Sequence, residues 1–202
     1  MMQKALIALV LLVIGSQSFA QFKNKDWYIS PKISFADYSD RHDWEGYSIS
    51  KIPPVSVAVE RGVTDFLSVG ALVGFNNEKY VNDTLSTNVH KYSDFAIGGL
   101  ANVHFAGWIE EWSNYSIFLG DWDIYAGMSV LMKWSKTDEQ NMWQEDLQAF
   151  TNNEASTFKT VVRPLVGVRY FLNDNVTMLL EVGNGNLGIV TTGLSLRIPH
   201  AY

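Results

Sequence analysis

Nine charged side chains of this sequence could act together electrostatically. Each occupies a polar position in a segment where polar and apolar residues alternate, and we call these positions the polar parity of the segment. These residues are Lys32, Glu60, Asp94, Asp123, Lys133, Arg163, Arg169, Glu181 and Arg197. Five are positive and four are negative, so the set is nearly neutral. Enclosed charges must pair, since an uncompensated buried charge costs several kcal/mol. The pattern therefore predicts an ion-paired network inside an enclosed space.

Other residue types form no pattern for catalysis or metal binding. No two histidines have the spacing of metal ligands on a helix or hairpin, so we expect no metal site and no cofactor. The histidines are His42, His90, His104 and His200. A nucleophilic serine needs a histidine within reach, but about ten strand residues, roughly 30 Å, separate His104 from Ser93 and Asp94. The run Gly183–Asn186 predicts a hairpin turn rather than a phosphate-binding loop, because no helix follows it. We expect no catalytic site.

Eight segments alternate with a period of two, which predicts strands with one apolar and one polar face. The clearest segment has Trp122, Met128 and Trp134 on its apolar parity. Pro31 and Pro164 lie inside predicted strands and remove ladder donors, so we expect bulges or frayed pairing there. The predicted strands span residues 26–36, 54–62, 66–75, 93–105, 121–134, 158–171, 175–183 and 187–198.

Aromatic residues mark both ends of the apolar faces. Trp122 and Trp134 are twelve residues apart. At a rise of ~3.3 Å per residue and a strand tilt of roughly 40°, they lie about 30 Å apart along the axis of a barrel. This distance is close to the height of the apolar band of a membrane barrel together with its aromatic girdles. The predicted girdle residues are Trp27, Phe35, Phe75, Phe95, Phe105, Trp122, Trp134, Phe158 and Tyr170. The fold class that fits is all-β, an eight-stranded antiparallel up-and-down transmembrane β-barrel.

The alternation also fits a secreted soluble barrel that binds an apolar ligand inside. Aromatic rings at both rims favour the membrane, because lipid interfaces prefer Trp and Tyr. Glycines such as Gly70, Gly98 and Gly127 on the polar face suit a narrow interior. Eight strands leave little room beyond their own side chains, which favours a plugged interior. The alternative is a narrow pore or transporter. In it Arg163, Arg169 and Arg197 meet anions, and the counter-charges are Glu60, Asp94 and Glu181.

The connections alternate between short and long. Short turns on one side and long extracellular loops on the other are typical of outer-membrane barrels. The predicted long loops cover residues 37–53, 76–92 and 135–157, and the short turns cover 63–65 and 172–174. Exposed aromatics among charges suit binding to an extracellular partner, although such rings can also rest on the barrel rim. The candidate loop contacts are Tyr38, Trp44, Tyr47 and Trp143.

One longer connection, residues 106–120, lies on the side of the short turns. Trp108, Trp112 and Tyr115 fall at helical spacing there, which fits a short helix on the membrane surface. An irregular connection is the favoured interpretation.

The first twenty residues predict a cleavable signal peptide. Lys4 precedes the apolar run 5–14, and Ser18 and Ala20 have the small side chains that a signal peptidase recognises. Residues 21–202 then form one barrel domain. The absence of cysteine excludes disulfides. The net charge of −6, or −7 without Lys4, argues against a nucleic-acid partner.

The runs GVTDFLSVGALVGF and VRPLVGVRYFLNDNVTMLLEVGNGNLGIVTTGLSLRI resemble strands and turns of the small outer-membrane β-barrel proteins of Gram-negative bacteria, the group of the OmpA membrane domain and OmpX. The uncharacterised small barrels of Bacteroidota are similar in style. The resemblance covers the mature chain as a pattern of strands and turns. It implies a location in the cell outer membrane, in contact with outer-membrane lipid and lipopolysaccharide. It also implies insertion by the barrel-assembly machinery, which reads a terminal aromatic residue such as Tyr202, although Pro199 and His200 depart from that signal.

Proteins of this group serve as tethers, adhesins, narrow channels or lipid-modifying enzymes, so the resemblance does not fix the activity. The expected role is non-enzymatic, an envelope-structural or surface-interaction role through the long loops.

Overall fold

Eight strands form one closed antiparallel barrel in chain order, as the alternation predicts. The computed structural model describes residues 22–35, 47–82, 89–144, 149–183 and 187–200. The strands are β1 (Trp27–Phe35), β2 (Tyr47–Gly62), β3 (Leu67–Asn82), β4 (Val89–His104), β5 (Trp122–Gln144), β6 (Ala149–Phe171), β7 (Val176–Gly183) and β8 (Val190–Ile198). The predicted signal peptide, Tyr202 and the predicted turn at 184–186 lie outside the described residues.

The ring closes through β1, which pairs with both β2 and β8. Trp27 lies opposite Arg61 on β2 and opposite Ile198 on β8. Closure removes the free edge that an open sheet would present. Within the described residues, no helix is long and apolar enough to cross a bilayer.

The prolines disturb the strands less than expected. Pro31 stays in register with Val57, and Pro164 with Met128, so the expected bulges are absent there. The pairing of β1 with β8 omits Ser30 and Pro31 without a shift in register, which is local fraying. A shift occurs instead between Ile52 and Val55, across two consecutive prolines that cannot donate to the ladder.

Five strands, β2 to β6, are longer than predicted. The expectation of long loops is wrong for residues 47–53, 76–82, 89–92, 135–144 and 149–157, which are strand. These stretches are mainly polar, so they carry little alternation signal. Backbone pairing with a neighbouring strand extends them. Tyr47 and Trp143 therefore lie in β2 and β5 rather than in loops. Tyr38 and Trp44 lie outside the described residues.

The connection between β4 and β5 is partly helical. Helix α1 (Ala106–Trp112) begins one residue after β4, so the favoured interpretation of a wholly irregular link is wrong. Ala106 and Glu110, one turn apart, are its buried residues. We call the end of the barrel that carries α1 and the connections 63–66 and 172–175 the short-turn end.

Outside the stretches by which β2 to β6 exceed their predicted length, the strands turn a mainly polar parity inward and expose their apolar parity. On β5, Ser129 is buried, whereas its neighbours Met128 and Val130 are exposed. On β8, Ser195 is buried between the exposed Leu194 and Leu196. The polar faces therefore fill the barrel interior and the apolar faces form its outer wall, which is not the arrangement of a carrier with an apolar interior.

Candidate functional site

The interior side chains form three levels along the barrel axis, and the largest polar group lies nearest the short-turn end. At its centre, Arg169 Nη2 lies 2.6 Å from Glu60 Oε1, and both side chains are fully buried. Arg169 Nη1 lies 3.8 Å from Asp123 Oδ2, close enough for an ion pair but too far for a hydrogen bond. The guanidinium carbon also lies 4.6 Å from the ring centroid of Tyr125 and 5.4 Å from that of Tyr28. Arg169 thus meets two carboxylates and two aromatic faces.

A second ion pair adjoins this group. Lys32 Nζ lies 2.6 Å from Glu181 Oε1, and the Tyr125 hydroxyl donates to the same oxygen over 2.8 Å. Because Tyr125 also stacks against Arg169, the two ion pairs form one connected network.

A chain of hydrogen bonds links Asp123 to Glu60 through two further side chains. His104 Nδ1 lies 2.8 Å from Asp123 Oδ1, and its Nε2 lies 3.0 Å from Ser68 Oγ. Ser68 donates to Glu60 Oε2 over 3.2 Å, and Asn102 Nδ2 donates to the same oxygen over 2.7 Å. Antiparallel pairing places these residues on four adjacent strands, β2, β3, β4 and β5, at the short-turn end.

Ser68, His104 and Asp123 have the order and distances of a hydrolase triad. The Ser68 side chain, however, is fully buried and its hydroxyl donates to Glu60. A carboxylate beside the nucleophile would oppose the negative charge that develops during acyl transfer. In this structure Ser68 and His104 form a hydrogen-bond bridge between Asp123 and Glu60.

An apolar layer forms the middle level. On β2, Ala58 lies between the inward-facing Ser56 and Glu60, and on β5, Leu131 lies between Ser129 and Lys133. Leu187, from the connection between β7 and β8, enters the barrel and joins this layer. The buried members of the layer are Ala58, Leu72, Ala96, Leu131 and Leu187. The layer separates the large polar network from the polar groups on its other side.

The level beyond the apolar layer contains a smaller polar group. Lys133 Nζ lies 2.9 Å from Asp94 Oδ2. Tyr80 donates to Glu78 Oε2 over 3.1 Å, and both residues are buried.

The short-turn end is closed by a separate ion pair and an aromatic ring. Arg197 Nε donates to Asp26 Oδ2 over 2.6 Å. Phe22 stacks on His104 with ring centroids 3.6 Å apart and on Tyr28 at 5.3 Å. A cavity of about 600 Å³ lies beside Phe22, between His104 on the barrel side and α1 on the other.

The nine charged residues singled out from the sequence thus fall into separate groups. Five belong to the large network: Lys32, Glu60, Asp123, Arg169 and Glu181. Asp94 and Lys133 pair beyond the apolar layer, and Arg197 pairs with Asp26. Arg163 is half-buried on β6, in register with Ser129.

Sequence reasoning missed Asp26 and the role of His104, whose partners lie on neighbouring strands rather than on its own. It also missed the apolar layer. Leu72 and Leu131 carry the available signal, because each is a large apolar residue on an otherwise polar parity.

The predicted girdle residues lie on the outer wall. Phe75, Phe95, Trp134 and Phe158 follow one another in register across β3 to β6, and Trp134 lies 5.8 Å from Phe95 and 5.0 Å from Phe158 between ring centroids. At the short-turn end, Trp122 lies 4.9 Å from Tyr170. The remaining members are Trp27 and Phe35 at the two ends of β1, and Phe105 before α1.

Among the described residues, no group of three or more His, Cys, Asp or Glu side chains is placed to hold a metal ion.

No protein-family model matches the sequence, and no curated protein matches it. Solved structures do match. The outer membrane protein OprG from Pseudomonas aeruginosa aligns with a TM-score of 0.51 at 11% identity, over 91% of this chain and 100% of that chain. The N-terminal β-barrel domain of Pseudomonas aeruginosa OprF aligns with a TM-score of 0.40 at 9% identity, over 87% of this chain and 98% of that one. Ail, the attachment invasion locus protein of Yersinia pestis, aligns with a TM-score of 0.43 at 8% identity, over 87% and 96%. At these identities the likeness concerns the fold alone, and this chain shares the fold of the outer-membrane β-barrel protein OprG.

Proposed function

We propose that this protein is an integral barrel of the outer membrane with an envelope-structural or surface-interaction role, and that it neither conducts solutes nor catalyses a reaction. The observation that carries the proposal is the distribution of side chains across the wall. Apolar side chains and aromatic rows cover the outside, as a lipid environment requires, while ionised groups pair inside. The short-turn end faces the periplasm in this proposal, and insertion depends on the barrel-assembly machinery.

The interior supports the absence of conduction. A conducting path needs continuous polar or water-filled space, whereas the apolar layer of Ala58, Leu72, Ala96, Leu131 and Leu187 lies across the lumen. Next to that layer, Arg169 and Glu60 join opposite walls of the barrel. An ion would have to displace both obstacles to pass.

The long strands support a surface role. Beyond the aromatic row at Trp134 and Phe158, β5 and β6 continue as a paired hairpin whose described side chains, apart from Ala155, are polar and are exposed or partly exposed, such as Lys136 and Glu154. Polar strands that rise above the lipid give a rigid surface for lipopolysaccharide or an extracellular partner. Tyr47 and Trp143 lie in these extended strand regions and remain candidate contacts. The narrower relation to OmpA, OmpX and the barrels of Bacteroidota also remains a prediction.

Cell fractionation tests the location, and gel migration tests the fold. We expect the protein in the outer-membrane fraction, migrating faster before heating than after, because a closed barrel resists detergent. Recovery as a soluble periplasmic protein would overturn the proposal.

Planar bilayers test conduction. We expect no steady single-channel steps from the purified barrel. Steady steps that disappear in Arg163→Ala would overturn the plugged interior and favour a narrow pore for anions.

A further inference from the structure

The connection between β4 and β5 presents an aromatic surface to the outside of the molecule at the short-turn end. Ala106 and Glu110 form the buried side of α1, whereas Trp112 is 86% exposed. After the helix, Tyr115 is 72% exposed and Phe118 is 66% exposed. A globular protein in water seldom leaves three such rings uncovered in one short segment.

Hydrogen bonds hold this segment in place. Glu110 is the centre: its backbone oxygen accepts from Tyr115 N over 2.8 Å, and its Oε1 accepts from Leu119 N over 2.6 Å. Asn114 and Tyr115 both have positive φ, 50° and 58°, a conformation that non-glycine residues adopt at a cost. The chain is therefore folded back on Glu110 in a defined shape, in which Trp112 is the most exposed ring, while Tyr115 and Phe118 also border the cavity beside Phe22.

The aromatic surface is continuous with the outer wall of the barrel. Trp108 of α1 lies 5.3 Å from Phe66 and 5.7 Å from Phe105, between ring centroids, and Phe66 directly precedes β3. At the other end of the connection, Trp122 begins β5 and lies 4.9 Å from Tyr170. The rings of the connection thus extend the aromatic girdle of the short-turn end.

We propose that residues 105–122 form a membrane-interface anchor, which seats Trp112, Tyr115 and Phe118 among the glycerophospholipids of the leaflet next to the short-turn end. This inference rests on the proposed location of the barrel in a membrane. Continuity with the girdle points to lipid as the occupant, because the same leaflet that meets Trp122 and Tyr170 reaches the connection beside them. Trp and Tyr rings are the side chains that prefer the boundary between headgroups and acyl chains.

Cations lie at the same end, together with exposed acidic side chains such as Asp65 and Glu111. Lys23, Lys25 and Arg61 are exposed there, and the Arg61 guanidinium lies 5.4 Å from the ring centroid of Trp27. Cations beside girdle aromatics can reach lipid phosphates while their stems stay against the apolar wall.

Fluorescence quenching in vesicles of phosphatidylcholine tests the anchor. One single-tryptophan variant retains Trp112, and a matched control variant retains Trp134 in the girdle at the opposite end, with the other tryptophans replaced by Phe. With bromine atoms near the top of the lipid acyl chains, we expect each variant to lose roughly half or more of its emission, because both indoles lie at an interface. Aqueous iodide should quench the Trp112 variant far less than it quenches free tryptophan.

Three results would overturn the proposal, and they have different meanings. Strong iodide quenching of Trp112 together with normal bromolipid quenching of Trp134 would sink the anchor and leave the membrane barrel standing. Failure of bromolipid to quench either residue would sink the proposed location as well. Protection of Trp112 from both quenchers, with a chemically cross-linkable dimer, would show that a second copy covers the surface instead of lipid.

A cysteine variant gives the same test without removing six tryptophans. The sequence contains no cysteine, so Trp112→Cys and Glu111→Cys each offer one labelling site for a polarity-sensitive dye. We expect a blue-shifted emission in vesicles for the label at position 112 and a smaller shift at position 111, and equal water-like emission at both positions would overturn the anchor.

Discussion

Arg169 on β6 and Glu60 on β2 join opposite walls of the barrel, with Nη2 2.6 Å from Oε1 and no exposed surface on either side chain. Three strands separate β2 from β6 in either direction around the ring. The pair therefore acts as a cross-brace through the lumen, and its ions depend on each other because neither side chain has surface exposed to solvent.

Removal of one partner should be strongly destabilising. We expect Arg169→Met to lower the free energy of unfolding by roughly 3–5 kcal/mol, because Glu60 is left as an uncompensated buried charge. Urea unfolding in detergent micelles, followed by tryptophan fluorescence, measures the change. The double variant Glu60→Gln with Arg169→Met should recover part of the loss.

An exposed ion pair provides the control for that prediction. Lys136 and Glu154 lie 3.2 Å apart with side chains 60% and 65% exposed, and Lys136→Ala should cost about 0–1 kcal/mol because water and salt screen the pair. Equal losses for Lys136→Ala and Arg169→Met would contradict the brace.

The apolar layer should behave as a packed core. Leu131→Ala removes a fully buried side chain and should lower the free energy of unfolding by about 2–5 kcal/mol through lost contacts and the cavity that remains. Leu196→Ala is the matched control, since Leu196 lies on the outer wall and its loss leaves no internal cavity. A loss at Leu196 as large as that at Leu131 would argue against the layer.

Close approach of strands at Gly98 should exclude any side chain. A Cβ at Gly98 would collide with the carbonyl oxygen of Val130 and lie 2.8 Å from Leu131 Cα. We expect Gly98→Ala to destabilise the barrel by about 1–3 kcal/mol, measured as a lower urea midpoint. Gly107 in α1 has open space around its Cβ position, so Gly107→Ala should be neutral or stabilise its helix by about 0.5–1 kcal/mol.

The variant Ser68→Ala distinguishes a structural role of the Ser68–His104–Asp123 group from a catalytic one. Ser68→Ala removes the hydroxyl that bridges His104 and Glu60, and we expect a loss of about 1–3 kcal/mol in the free energy of unfolding. Mass spectra of lipid A and phospholipids from cells that carry either form should be identical. A lipid species that disappears with Ser68→Ala, while the barrel still folds, would mean that the triad is an active site.

The sequence predicted the facing of the strands better than their length. The alternation that places Trp122, Met128 and Trp134 on one side of β5 correctly predicts which side chains form the outer wall, as far as the aromatic row at Trp134. Beyond that row both faces meet water, so the alternation disappears, and residues 135–144 resemble a loop although they pair with β6. Interstrand hydrogen bonds hold them there, and these leave no trace in hydropathy.

The candidate site shows the same division. Eight of the nine charged residues predicted for the interior are buried or nearly buried. Their partners, however, cannot be predicted from the sequence. Asp123, for example, meets His104 only because the connection 105–121 folds β5 back beside β4.

By itself the sequence determined which side of each strand faces inward, because side-chain direction along a strand follows a period of two that depends on local geometry alone. Only the tertiary structure decided which charges meet, since Arg169 and Glu60 are 109 residues apart and are brought together by closure of the ring. It also decided that Leu187 enters the lumen, because the space there is left by small residues on other strands, among them Gly74 and Ala96.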